Sequence, residues 1–480
     1  MHSENIPPYL PPPVPTALPS PYKLLPFQAE AVEKMIQFLN TPTPNGRPSG
    51  VYNSAEQGCG KTVMTIAAIN KLQGWYSVLI LCPAVMRLVW KAEIEKFRVL
   101  DSTLFSVKQK TVTVFESGKQ LEKFAASKDP YKHIGTFICS YDLASQDRVL
   151  PILELLRLKL LVCDESHYLK TRNTKRSKAV FRHLLPVAEK VIALSGTPIT
   201  TCITDLYTWA NALSPQDFPN YYVFANRYAE QSRTPFGIKY HGLRNEDELR
   251  HKIRSKWFLR YTKDEVLPEL PEKRWTEIPL PESVAIKALP QIPRMNAEQA
   301  MIDMLLHIEN PEKHPMPLAI QHIVKSIRQA QGLAKVAHVA AYVENMLEQE
   351  IPVVLFAHHR SVIDLYMKSL TKHNPVIIQG DVPAHERMQA VEKFQSGETK
   401  LFIGQFTAAG TGITLTESSN VVLAELDYSP AVIAQSVDRV HRIGQKNSVS
   451  VHYFVVDGSI ENRIVSVLVE KTKVFQKALN

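Results

Sequence analysis

A chain of 480 residues with 45% hydrophobic content can bury two or three cores, which excludes a small fold held by disulfides or metal. Lysine and arginine outnumber aspartate and glutamate by 56 to 47, giving +9 and a pI near 9.1, a balance that favours a polyanionic partner. No apolar run reaches 18 residues and the start lacks a signal-peptide core, so a soluble intracellular protein without membrane contact is expected. Cys59, Cys82, Cys139, Cys163 and Cys202 show no C-x-x-C spacing, which implies free, mostly buried thiols and no structural zinc.

Residues 1–20 form a proline-dense arm that reads as extended polyproline, an unstructured leader or a site for a protein partner. The first lobe is expected over 21–203. Its Ala55-to-Thr62 string AEQGCGKT is a phosphate-loop pattern, with Ala55 where the strict pattern has glycine. Gly58 and Gly60 let the backbone wrap a triphosphate beside Cys59, Lys61 reaches the β- and γ-phosphates, and Thr62 ligates Mg²⁺. The apolar helical spacing that follows predicts a helix with its positive end toward the anion.

Strand-like runs at 77–82, 136–140, 159–163 and 191–194 alternate with helical patterns and predict a parallel sheet covered on both faces. The third run ends in Asp164-Glu165, where such sheets place their ligands. Asp164 is expected to hold Mg²⁺, and Glu165 to orient and deprotonate the attacking water. Residues 204–349 read as helical insertions carrying Arg250, Lys252, Arg254, Lys256, Arg260 and Lys263, with a long helix over 319–347 broken at Gly332. A second parallel series at 352–357, 375–379, 401–404, 420–424 and 449–456 defines a second lobe over 350–480. Near its end QSVDRVHRIGQ, from Gln435 to Gln445, sets Arg439 and Arg442 three apart on one face, where planar guanidinium groups can bridge phosphate oxygens.

DESHYLK, LSGTP at 194–198, AAGTGITLT at 408–416 and QSVDRVHRIGQ resemble motifs II, III, V and VI of superfamily 2 helicase-like ATPases. HRIGQ is similar to the Swi/Snf branch of duplex-DNA translocases. LLPFQAEAV at 24–32, VLFAHHRSVID at 354–364 and the AEL of 424–426 resemble its HARP-type annealing-helicase subgroup. The resemblance spans about 21–475 and implies a P-loop NTPase of two RecA-like α/β lobes, a DNA-dependent ATPase that uses ATP and Mg²⁺.

It also implies that Gln28 reads adenine and that Gly412 and Gln435 complete the nucleotide site from the second lobe. Pro83, Ser140, Tyr141, His359, Arg360, Gly380 and Thr411 would face the nucleic acid, with Lys252, Arg254 and Lys256 adding phosphate contacts. The expected partner is double-stranded or forked DNA, gripped by a monomer without base readout. Two positions depart from the family: Tyr428-Ser429-Pro430 stands for Trp-Asn-Pro, and Tyr261 for arginine. The alternatives are a strand-separating DNA or RNA helicase of the same superfamily, and a DNA-binding scaffold with a silent ATPase.

Overall fold

A computed structural model describes residues 24–43, 47–72, 77–97, 112–129, 132–156, 158–199, 202–234, 237–284, 318–409, 412–427, 429–457, 459 and 461. The proline-dense arm, Thr411 and Tyr428 lie outside them.

Six strands open the chain: β1 (Ser49–Asn53), β2 (Ser77–Cys82), β3 (Val112–Val114), β4 (Gly135–Ser140), β5 (Leu158–Asp164) and β6 (Lys190–Leu194). After the antiparallel hairpin β7 (Glu230–Thr234) and β8 (Gly237–His241), β9 (Phe258–Leu259) returns to the first sheet. The order is β3-β4-β2-β5-β6-β1-β9, parallel throughout. Every residue of β1, β2 and β4 is buried, because helices cover both faces and leave no room for a polar one. Helices Pro26–Asn40 and Lys61–Lys71 pack with Met35, Met64 and Trp90 on one face; Tyr207, Trp209 and Phe224 fill the other.

The second sheet is β10 (Lys273–Leu280), β11 (Val353–Ala357), β12 (Val376–Ile378), β13 (Leu401–Gln405), β14 (Asn420–Leu423) and β15 (Val449–Val456). Its order is β10-β15-β14-β11-β13-β12, again parallel. The region expected as helical insertions is thus shared out, since β9 extends the first sheet and β10 the second. The long helix runs unbroken over Leu318–Glu348. Gly332 is no break: a Cβ there would stand 2.6 Å from Glu425 Oε1, so glycine allows close packing. Lys335, fully buried on that helix, donates to Glu461 Oε1 at 2.6 Å and Phe454 O at 3.2 Å and ties the helix to the sheet.

Candidate active site

The phosphate loop leaves β1 at Asn53, whose side-chain oxygen accepts from Ala55 N at 3.0 Å and shapes the first turn. Gly58 and Gly60 have φ of 87° and 85°, a left-handed region costly to any residue with a Cβ. Gly60 caps the helix that begins at Lys61, so Lys61 and half-buried Thr62 open its first turn. Lys61 Nζ folds over the loop and donates to Ala55 O at 2.8 Å and Glu56 O at 3.3 Å. Burial pulls the pKa of Lys61 down, and Glu165 and Asp164 work against that pull.

Gln28 Nε2 donates to Cys59 O at 3.0 Å, while its Oε1 accepts from Leu25 N at 3.0 Å. One amide proton and one lone pair remain for a further partner. Burial pushes the Cys59 thiol up to about 11, so it is an inert member of the loop.

β5 delivers Asp164 beside the loop. Its Oδ2 accepts from the Trp90 indole at 2.8 Å and its Oδ1 from Glu165 N at 2.9 Å. Glu165 sits at φ 48°, a strained backbone of the kind that gathers at functional sites. Burial raises Asp164 to about 6, reinforced by the Glu165 charge. Glu165 is held low: burial would raise it, but His167 Nδ1 at 3.2 Å, Lys61 and Arg439 outweigh that. Glu165 is therefore a carboxylate able to accept a proton.

β6 lies between β5 and β1 and carries Ser195-Gly196 into the same space. Ser195 Oγ is 3.0 Å from His167 Nδ1, and a Cβ on Gly196 would stand 3.1 Å from Lys61 Nζ. Arg260 donates to Ser54 O at 2.8 Å, Gly196 O at 3.2 Å and Glu56 Oε1 at 3.1 Å, pinning the loop from the chain after β9. Trp90 lies in no sequence motif and Arg260 only in the basic cluster of the insertions, whereas His167 falls within DESHYLK and Ser195 within LSGTP.

The second lobe closes this site. Buried Arg439 donates to Gln57 Oε1 of the phosphate loop at 3.4 Å, across 382 residues of chain. Burial, helped by Arg442, lowers Arg439 to about 10. Arg442 turns one Nη1 to Ile413 O at 3.0 Å and Thr414 Oγ1 at 2.9 Å, yet its Cβ lies 2.8 Å from where a Gly58 Cβ would stand. Lys263 Nζ spans the lobes to Asp438 Oδ1 at 2.8 Å and His441 O at 2.6 Å. Gln435 is half-buried on helix Pro430–Val437, which leads into these residues. Gln445 binds back to Thr416, Ser418 and Val440 carbonyls, holding the arginine segment to the loop before β14.

Gly412 sits where the lobes touch, at φ 75°, and a Cβ there would stand 2.2 Å from Met86 Sδ of the first lobe. Gly412→Ala should weaken closure and lower ATP turnover about tenfold, with strain of about 1 kcal/mol or more behind it. Met86→Ala in the same protein should restore part of the rate. Steady-state ATPase of the single and double variants checks both.

His441 is held down at about 4, first by burial and then by Lys263 and Lys273. The unfolded chain takes up this proton near 6.5, the folded one only near 4. Stability from the neutral ring is thus complete above pH 6.5 and is lost as pH falls toward 4. The loss is about 2 kcal/mol after allowance for screening. Urea midpoints at pH 7.5 and 4.5 should show it, and His441→Gln should flatten the difference.

The nucleic-acid candidates divide. Pro83 ends β2 half-exposed, Arg360 is exposed and pairs with Asp381 at 3.1 Å, and Gly380 N donates to Gln405 Oε1 at 3.1 Å. Ser140 is buried and caps the next turn by accepting from Leu143 N. Two side chains point inward, contrary to expectation. Tyr141 is buried and its hydroxyl donates to Asp164 O at 2.7 Å, while His359 is buried against Glu425 Oε1 at 2.6 Å. Lys252 pairs with Glu248 at 2.9 Å and Lys256 with Asp217 at 2.6 Å; Arg254 is exposed between them. Among the described residues no helix is long and apolar enough to cross a membrane.

A phosphate loop, an acidic pair and cross-lobe arginines between two parallel sheets define a two-lobed nucleotide-site protein. The SNF2-related domain matches residues 28–283, and the Helicase conserved C-terminal domain matches 334–444. The chain belongs to the SNF2-related family. It is 29% identical over 471 residues to human "DNA annealing helicase and endonuclease ZRANB3", covering 95% of this chain and 40% of that protein. It is also 29% identical over 461 residues to "SWI/SNF-related matrix-associated actin-dependent regulator of chromatin subfamily A-like protein 1" of Xenopus tropicalis, covering 95% of this chain and 45% of that one. The chain spans less than half the length of these curated relatives. A solved "Sulfolobus solfataricus SWI2/SNF2 ATPase core in complex with dsDNA" is similar at 22% identity and TM-score 0.43, covering 96% of this chain and 94% of that one.

Proposed function

We propose that the chain is an ATP-driven duplex-DNA translocase of the Swi/Snf type, acting in annealing or fork remodelling as a monomer associated with intracellular DNA. The observation that carries this reading is the reach of Arg439 from the second lobe to Gln57 in the phosphate loop, because hydrolysis then depends on lobe closure. The relatives' printed names, annealing helicase among them, favour the same task.

The residues fit Mg²⁺. Asp164 and Thr62 offer hard oxygens, and Mg²⁺ takes its remaining ligands from phosphates and water, so a single carboxylate suffices. When bound, the ion would neutralise phosphate charge. Trp90 holds the Asp164 carboxylate in one rotamer, Glu165 accepts a proton from the attacking water, and His167 and Ser195 fix that acid. Arg439 faces charge growing on the γ-phosphoryl, and Arg442 braces the 412–414 turn behind it.

Track contacts from Pro83, Arg360 and Gly380 would go to phosphates and leave movement sequence-tolerant. The proline-dense arm is proposed as the docking site of a protein partner. The test is ATPase activity with duplex, forked and single-stranded DNA and with RNA. Turnover should rise many-fold with duplex or forked DNA, because closure needs the track in place. Equal rates with and without DNA would sink the reading, and selective stimulation by single-stranded RNA would favour a strand-separating helicase.

A further inference from the structure

On the first lobe, away from the nucleotide site, helices 175–187 and 207–213 flank a cavity of about 550 Å³. Arg47, Arg172, Lys178 and Arg182 line it together with Tyr207 and Thr208, and no aspartate or glutamate does. All four cations are exposed, and none has an ion pair among the described residues. Arg172 lies over the Tyr207 ring at 5.2 Å, which fixes its planar fork at the rim. Lys178 and Arg182 are one helical turn apart and present a row of charge.

Four like charges around one hollow repel one another until an anion enters, so the site asks for phosphate. A pocket for a small molecule would enclose most of its ligand. Here the cations stand in solvent at the rim, which suits a backbone passing across it. Arg47 and Pro48 lead into β1, at the opposite end of that strand from the phosphate loop. A straight duplex on the strand-end track would not also lie there.

We propose that this cluster is a second phosphate-backbone site, which grips another duplex arm of a branched DNA while the motor acts on the first. The inference rests on the DNA-motor reading and adds where the second arm docks. The test is a salt titration of forked and linear duplex binding by the full chain, for wild type and for a variant carrying Arg172→Ala, Lys178→Ala and Arg182→Ala. Thermal unfolding first establishes that the variant folds.

Fork affinity should fall at least about tenfold and its salt slope by about 2 to 3, at roughly 0.9 per lost contact. Linear duplex affinity should stay within about twofold. A variant carrying Arg172→Lys and Arg182→Lys should keep the wild-type fork slope. Unchanged fork binding overturns the proposal, and so does an equal loss on fork and linear duplex. Tripolyphosphate binding lost with fork affinity intact would assign the hollow to a soluble anion and likewise overturn it. If the wild type binds neither DNA, the motor reading has failed instead.

Discussion

Arg439→Ala should retain nucleotide and DNA binding and lose DNA-stimulated hydrolysis by about 10³- to 10⁵-fold, the contribution comparable arginine fingers make. The side chain belongs to the second lobe and meets the phosphate loop at Gln57, so its removal leaves the first-lobe binding surface intact. Lysine should not rescue it, because a point charge cannot reproduce the bidentate fork. Arg442→Ala should give the same kinetic defect by another route, since its guanidinium holds Ile413 and Thr414 in place. Wild-type turnover by both alanine variants would contradict hydrolysis by closure.

Glu165→Gln should bind ATP and DNA normally and turn over at about 10² to 10⁴ below wild type, the range a positioned general base contributes. The amide keeps the shape of the side chain but has no affinity for a proton. Lys61→Ala should differ by losing binding and turnover together, since the lysine contacts phosphates in the ground state. Nucleotide titration beside single-turnover rates separates the two. A Glu165→Gln protein hydrolysing at the wild-type rate would show that another group is the base.

Much of the architecture was legible because a parallel sheet buried on both faces leaves continuous apolar runs. β2, β4, β5, β6 and the interior strands of the second sheet were read this way. β1 was not, because SGVYN is short, holds glycine and asparagine, and owes its pairing to β6 and β9. β10 was hidden for the opposite reason. It is an edge strand whose residues are mostly exposed, so KRWTEIPL has no buried-strand run and falls within the stretch read as helical insertions.

The sequence placed the phosphate loop, the acids and the arginines in one site by motif. It gave no signal for Trp90 under Asp164 or for Lys263 against Asp438, because contacts between distant segments leave no local pattern. The resemblance implies that Tyr141 and His359, which follow strand ends, face the track. Their side chains turn inward because a buried carbonyl and a buried carboxylate need donors there.

Movement along duplex DNA without strand separation should show as displacement of a third strand from a triplex. Wild type should release that strand in an ATP-dependent manner, Glu165→Gln and Arg439→Ala should not, and a blunt duplex should stay intact throughout. Retention of the third strand by a protein that hydrolyses ATP on DNA, or efficient unwinding of the blunt duplex, would contradict it.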